Sequence, residues 1–344
     1  MEILPTIWFV AIAVLWIGFL LLEGFDFGVG MHLLVRARGE QERRLMLNTI
    51  GPVWDGNEVW LITAGAATFA AFPLWYASLF STLYVPLVLV LIGLIFRAVA
   101  IEYRGKGSTD RWRRWWDVAL GGGSFLAAFG IGAALALTTT GLPIDGHGDR
   151  VGGPFVWLTP VAVLGGLAVV GFCLVHAATF LALKTDGEVR ERAGRDVVRM
   201  APVALLPIVG WVVLVQFQSG PPWSWAFVVV AAVAAVLGWL AARKRREGRA
   251  FLAFSAFLVA GATAIFSAVY PNVLPSTIDP AFTLTVANAS SSDYTLGVMT
   301  VVAAVGLPVV LAYQAWSYWV FRRRLSAAQI PAPHPVVPAV RAGR

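Results

Sequence analysis

The stretch Trp54-Asp55-Gly56-Asn57-Glu58-Val59-Trp60 opens an apolar run that continues through Leu61, Ile62 and Ala64 to Phe72. Two carboxylates and an amide therefore occupy the first turns of a segment otherwise suited to lipid. An acid at the centre of a bilayer costs about 2.5–3.5 kcal/mol on insertion scales, so ionisable residues inside membrane helices point to a task. Neighbouring runs repeat the pattern. Glu23 and Asp26 lie near the end of the first, Arg97 and Glu102 near the end of the third, and Asp117 at the start of the fourth.

Of the 344 residues, 58% are hydrophobic and 13% charged, the balance of a polytopic membrane protein rather than a soluble domain. A bilayer core of about 30 Å needs about 20 helical residues. Runs of that kind fall at 6–30, 53–72, 77–103, 117–140, 156–184, 201–218, 223–242, 250–270 and 296–321. They predict an all-α integral membrane protein of nine transmembrane helices: two four-helix bundles, spans one to four and five to eight, plus one peripheral helix. No residue-level repeat relates the two groups. The membrane domain covers 1–325, and the tail 326–344, with its prolines and no apolar period, is expected to be disordered.

The net charge of +7 resides in the loops. Lys and Arg cluster after spans one, three, five, seven and nine, whereas the other connections hold only Arg150. The positive-inside rule then puts the N-terminus outside and the C-terminus in the cytoplasm, as an odd number of spans requires. Met1 to Pro5 carries no basic region and no cleavage pattern follows it, so the first run reads as a retained helix. Tryptophans at span ends, Trp8, Trp75, Trp157, Trp223 and Trp225 outside and Trp112, Trp115, Trp116, Trp316 and Trp319 inside, read as interfacial belts.

With this topology Glu23, Asp26, Asp55, Glu58, Arg97, Glu102 and Asp117 all fall in the cytoplasmic third of spans one to four. Glu23 with Asp26, and Asp55 with Glu58, are three apart and share a helix face; Trp54 and Glu58 are four apart. Low dielectric and neighbouring like charge favour protonated carboxyls, so such a cluster suits proton exchange and a cytoplasmic proton path. The plain alternative is that acids near a membrane end snorkel, cap helices or pair with loop arginines such as Arg43 or Arg114. Asp117 and Glu102 fit that alternative; Asp26, Asp55 and Glu58, flanked by glycines and aromatics, fit the functional reading. Arg97 reads as a structural counter-ion. Glycines in Gly24-Phe25-Asp26-Phe27-Gly28-Val29-Gly30 permit close helix approach beside the acid.

Other chemistries find little support. His176 is the one histidine inside a span, and a hydrogen-bonded structural role is commoner than haem ligation; His32, His147 and His334 are assigned to loops or the tail. The single cysteine, Cys173, excludes an internal disulfide and a thiolate metal cluster. Gly121-Gly122-Gly123 begins no nucleotide-binding loop. Arg111-Trp112-Arg113-Arg114-Trp115-Trp116 reads as an interfacial anchor and not as a nucleic-acid site.

The run Gly24 to Met31, then Glu42-Arg43-Arg44 and Asn48, then Pro52 to Gly65 resembles subunit II of the cytochrome bd family of quinol oxidases. Phe96-Arg97, Tyr103-Arg104, Arg111-Trp112, Trp116-Asp117, Tyr270-Pro271, Ser290-Ser291-Ser292 and Thr295-Leu296 extend the resemblance. It implies a haem-free chain paired with a larger subunit I that holds haems b and d and the main quinol site. Together they oxidise quinol and reduce dioxygen to water in a bacterial cell membrane, with protons drawn from the cytoplasm. It also implies proton-path roles for Asp26 and Asp55, with Glu23 and Glu58 as neighbours, and a subunit contact at Trp54. Glu58 stands where some relatives have glutamine. Some members hold a structural quinone in this subunit, and lipid and small accessory membrane subunits are further candidate partners. Two other classes stay open. One is a purely structural membrane partner. The other is a proton-coupled transporter, which would place its acids near mid-membrane at helix breaks.

Overall fold

A computed structural model describes residues 3–107 and 109–330. Twelve α-helices account for most of it: α1 (Ile3–Arg36), α2 (Gly39–Ile50), α3 (Trp54–Ala71), α4 (Pro73–Thr82), α5 (Tyr84–Tyr103) and α6 (Asp110–Thr140), then α7 (Pro160–Lys184), α8 (Gly187–Ala204), α9 (Leu206–Ser219), α10 (Trp225–Arg243), α11 (Glu247–Val269) and α12 (Asp293–Val320). Eight helical segments among the described residues are long and apolar enough to cross a membrane, with α8 and α9 taken as one. The expected second span corresponds to α3. Its 18 residues rise about 27 Å, close to the bilayer core, but Asp55, Gly56, Asn57 and Glu58 dilute its apolarity.

Two expected spans are interrupted. The third is divided at Leu83 into α4 and α5, because Pro86 has no N–H to donate to the carbonyl one turn back. The sixth is divided at Leu205, where Pro207 acts in the same way. The loop expected after span one contains α2, which buries Leu45, Met46 and Ile50 and leaves its charged side outward. His32, assigned from sequence to a loop, lies buried inside α1, which runs six residues past the expected end of its span.

Helices α1, α3, α5 and α6 pack together, as do α7 to α11, and α1 and α6 join the groups by packing on α7. Small residues set these approaches. A side chain at Gly28 would run into the Cys173 carbonyl on α7, and Gly132 of α6 meets Gly165 of α7 backbone to backbone. Helix α7 is therefore central, with 72% of its most apolar stretch buried within the chain, against 6% for α12. Only Leu296 of α12 is buried, as expected of a peripheral helix.

At the opposite end from the basic loops, β1 (Asn272–Leu274) and β2 (Leu284–Thr285) form a short antiparallel pair. Ser291 fastens this loop to α3 by donating to the carbonyls of Ala70 (Oγ, 2.6 Å) and Ala71 (N, 2.8 Å). The belt reading fails for Trp8 and Trp75, which are buried in the core; Trp115, Trp223, Trp316 and Trp319 are exposed. At the other end Ser326–Ile330 forms a capped 3₁₀ turn, with the Ala327 carbonyl accepting from Gln41 of α2 at 2.9 Å. These five residues belong to the expected tail. The rest of the tail, 331–344, lies outside the described residues.

Candidate functional site

Three carboxyls and one guanidinium meet between α1, α3 and α5. Glu23 and Asp26, one turn apart on α1, are fully buried, as is Arg97 of α5. Arg97 Nη2 lies 2.5 Å from Glu23 Oε1 and its Nη1 3.5 Å from Glu58 Oε1, with the guanidinium 5.0 Å above the Phe27 ring. The Glu23 contact is an ion pair by distance but is not aligned as a hydrogen bond, so both Glu23 oxygens lack a hydrogen-bond donor, as does Asp26 Oδ1. One guanidinium cannot neutralise three carboxylates, and a buried unpaired charge is expensive. The group as built therefore has capacity for protons.

Asn57 is the hub of this group. Its Nδ2 donates to Asp26 Oδ2 at 2.7 Å, and its Oδ1 accepts from Tyr318 Oη at 2.7 Å and Gln314 Nε2 at 3.4 Å. Gln314 Oε1 in turn accepts from Trp60 Nε1 at 2.9 Å. From sequence Asn57 stands out only as an amide beside two acids, and Gln314 and Tyr318 do not stand out as its partners. A signal for both was present, since two polar residues four apart in the ninth apolar run share one helix face.

Asp55 and Glu58 differ although they share a helix. Glu58 is largely buried, with 18% of its side chain exposed. Asp55 is exposed and makes no hydrogen bond or ion pair among the described residues. It lies on a face of α3 continued by Val59, Ile62 and Phe69, each about half exposed or more. Trp54, beside it, is half-buried.

Asp117 does not join this cluster. Its Oδ1 accepts from Arg104 Nε at 2.5 Å and its Oδ2 lies 3.3 Å from Arg43 Nε, while Arg104 also clamps Glu40 with two hydrogen bonds of 2.9 and 2.7 Å. Arg113 approaches Glu40 at 3.9 Å. This network ties α2 to α5 and α6. Glu102 is exposed and outside both groups. The seven residues grouped by sequence depth are thus divided by packing.

The two buried histidines are engaged structurally. His176 Nε2 lies 3.1 Å from the Leu21 carbonyl, and its ring stacks on Phe172 and Phe251 at 4.9 and 4.6 Å; His32 Nε2 lies 2.9 Å from the Leu174 carbonyl. Among the described residues no three His, Cys, Asp or Glu side chains converge in a metal-binding arrangement. An apolar cavity of about 630 Å³, lined by Trp16, Leu61, Leu94, Phe172 and Trp211 among others, lies between the two helix groups.

Residues 4–321 match the family model described as cytochrome bd terminal oxidase subunit II. The chain belongs to this family. It is 38% identical over 335 residues to the Bacillus subtilis cytochrome bd ubiquinol oxidase subunit 2, covering 95% of this chain and 98% of that one. With the Escherichia coli cytochrome bd-I ubiquinol oxidase subunit 2 it shares 36% identity over 368 residues, covering 96% and 97%. The solved structure of bd oxidase from Geobacillus thermodenitrificans matches in fold, with a TM-score of 0.78 at 20% identity over 93% of this chain and 99% of that chain. As a subunit II family member, the chain is a multi-pass bacterial membrane protein and a membrane subunit of an oxidoreductase.

Proposed function

We propose that this chain is the haem-free subunit II of a bd-type quinol:oxygen oxidoreductase, which scaffolds the haem-bearing subunit I and passes cytoplasmic protons toward it. The observation that carries this reading is the buried group of Glu23, Asp26 and Glu58 around the single guanidinium of Arg97. The haems in subunit I supply the reduction of dioxygen to water. This chain's own residues take up and hold protons.

Asp55, exposed in the first turn of α3, is the acid nearest the face offered to subunit I. Glu58 lies three residues on along the same helix and Arg97 bridges Glu58 to Glu23, so protons held on the buried group pass outward through Glu58 to Asp55. Arg97 remains charged and holds the carboxyls in position. Asp26, held at Oδ2 by Asn57, keeps Oδ1 free to accept.

The uncovered face of α3 bearing Asp55, Val59, Ile62 and Phe69 is the docking surface for subunit I. An acid facing acyl chains would be costly, and a partner that covers it removes that cost. Nine spans with the N-terminus outside, as the loop charges indicate, put this group at the cytoplasmic side. The 630 Å³ apolar cavity suits a structural quinone or a lipid tail.

The test is oxygen consumption with a quinol donor in purified complex carrying Asp55→Asn, beside its haem absorbance spectrum. The expected outcome is an intact spectrum with turnover reduced tenfold or more, about 1.4 kcal/mol in the barrier. Normal turnover with a normal spectrum rules out the proton role of Asp55 and leaves a scaffold. Loss of the haem signals makes Asp55 an assembly residue.

A further inference from the structure

A second cavity, of about 400 Å³, opens at the basic end of the chain between α7, α8, α10 and α11. Its floor is apolar, with Ala182, Val197 and Ala250, and its rim carries Arg190, Arg195, Arg199, Arg243 and Arg245. Two glutamates also line it, but each is already paired: Glu247 with Arg190 at 2.7 Å and Glu191 with Arg195 at 3.5 Å. Arg243 lies 4.8 Å over the Trp239 ring. The guanidinium groups of Arg199 and Arg245 make no hydrogen bond or ion pair among the described residues.

Two backbone features border the same space. Arg245 has φ of 52° in the tight turn from α10 to α11, and it is the one non-glycine residue with positive φ among those described. Glycine fits such a turn at lower cost, and a strained residue persists where its side chain is used. Gly194 lies inside α8, where glycine weakens the helix, yet a Cβ built there meets nothing within 4 Å. An arginine thus stands where glycine is easier, and a glycine where alanine is easier. The positive-inside rule explains the sign of these charges but requires neither a cavity nor this exchange of residue types.

We infer that this cavity binds a phosphate-bearing anion, with the guanidiniums of Arg199 and Arg245 on its oxygens. Arginine pairs with phosphate through two parallel hydrogen bonds, and basic pockets between membrane helices suit anionic headgroups. An acidic phospholipid uses both halves of the site, its phosphate at the rim and its chain along the apolar floor; a soluble phosphate uses only the rim.

The experiment is native mass spectrometry of the full-length protein, purified in the assembly in which it occurs, delipidated and titrated with phosphatidylglycerol, with phosphatidylcholine and with inorganic pyrophosphate. Two variants are compared with it. Arg199→Gln/Arg245→Gly removes the free guanidiniums while keeping a residue suited to the left-handed turn, and Gly194→Leu fills the cavity and leaves every arginine. The expected result is one tightly held phosphatidylglycerol in the wild type, selective over phosphatidylcholine, with apparent affinity down tenfold or more in both variants. If pyrophosphate retention falls in the arginine variant while phosphatidylglycerol retention is unchanged in both, the ligand is a soluble phosphate and the lipid assignment is overturned. Equal retention of both probes in all three proteins overturns the site.

Discussion

The first half of the chain carries two groups of acids and arginines, and charge balance separates them. Around Arg104 the carboxyls of Asp117 and Glu40 meet three arginines at the loop end of α6, with Arg104 itself hydrogen-bonded to both. Around Arg97 three carboxyls share one guanidinium, two of them fully buried and the third largely so, and several oxygens lack donors. The first group is built to stay as it is and fastens helix ends. The second does not satisfy its own charges, a structural handicap that the proposed proton role would use. Residue type and depth are alike in both; the ratio of arginine to acid is what differs.

This contrast breaks most decisively at Arg97. Arg97→Leu leaves the buried carboxyls without their only cation, a change expected to cost about 3–5 kcal/mol. Thermal denaturation followed by tryptophan fluorescence should report a large loss of stability or failure to assemble; a variant as stable as the wild type would mean the acids are neutral and need no counter-ion. Asp117→Ala removes the partner of two arginines and should cost about 1.5–3 kcal/mol by the same assay. Turnover per intact complex should not change, and a fall in turnover at full stability would place Asp117 on the proposed proton route.

A finer probe is Tyr318→Phe, which takes one donor from Asn57 Oδ1. About 0.5–1.5 kcal/mol of stability should be lost, and the pH profile of turnover should move because Asn57 holds Asp26. An unmoved profile would make the tyrosine purely structural. The smallest effect is expected at Glu40. Burial opposes its ionised form, but the hydrogen bonds and charge of Arg104, aided by Arg113 and Arg43, hold its carboxyl below the ordinary glutamate value of 4.5. Its stabilisation is therefore complete above pH 4.5 and is lost as pH falls through the depressed value. Melting of wild type and Glu40→Gln should differ by about 1 kcal/mol or less above pH 4.5 and converge in stronger acid. A gap that widened in acid would reverse the sign of that interaction.

The spans were legible because a bilayer imposes length and apolarity, and α1, α6, α7 and α11 follow the apolar runs closely. The breaks at Leu83 and Leu205 were less so, since Pro86 and Pro207 lie inside continuous apolar stretches. The acid cluster was legible as residues but not as partners. Arg97 was readable as a counter-ion, whereas the different environments of Asp55 and Glu58 depend on which face of α3 meets α1. Asp117 shares the cluster's depth, but its structural pairing with a loop arginine was legible and Arg43 is one of its partners; what depth does not show is Arg104 folding back over it. The role of Asn57 was hidden for a simpler reason: its partners on α12 lie more than 250 positions away.

That distance has a consequence for synthesis. Helix α12 is nearly unburied, yet it supplies Gln314 and Tyr318 to the oxygen of Asn57. A chain still emerging from the ribosome has every acid in place long before residue 314 exists, so the hub stays unfinished until the last helix inserts. The final helix is thereby a seal on the whole chain: any product truncated before it carries buried acids beside an amide short of two partners, and is chemically distinct from a finished subunit.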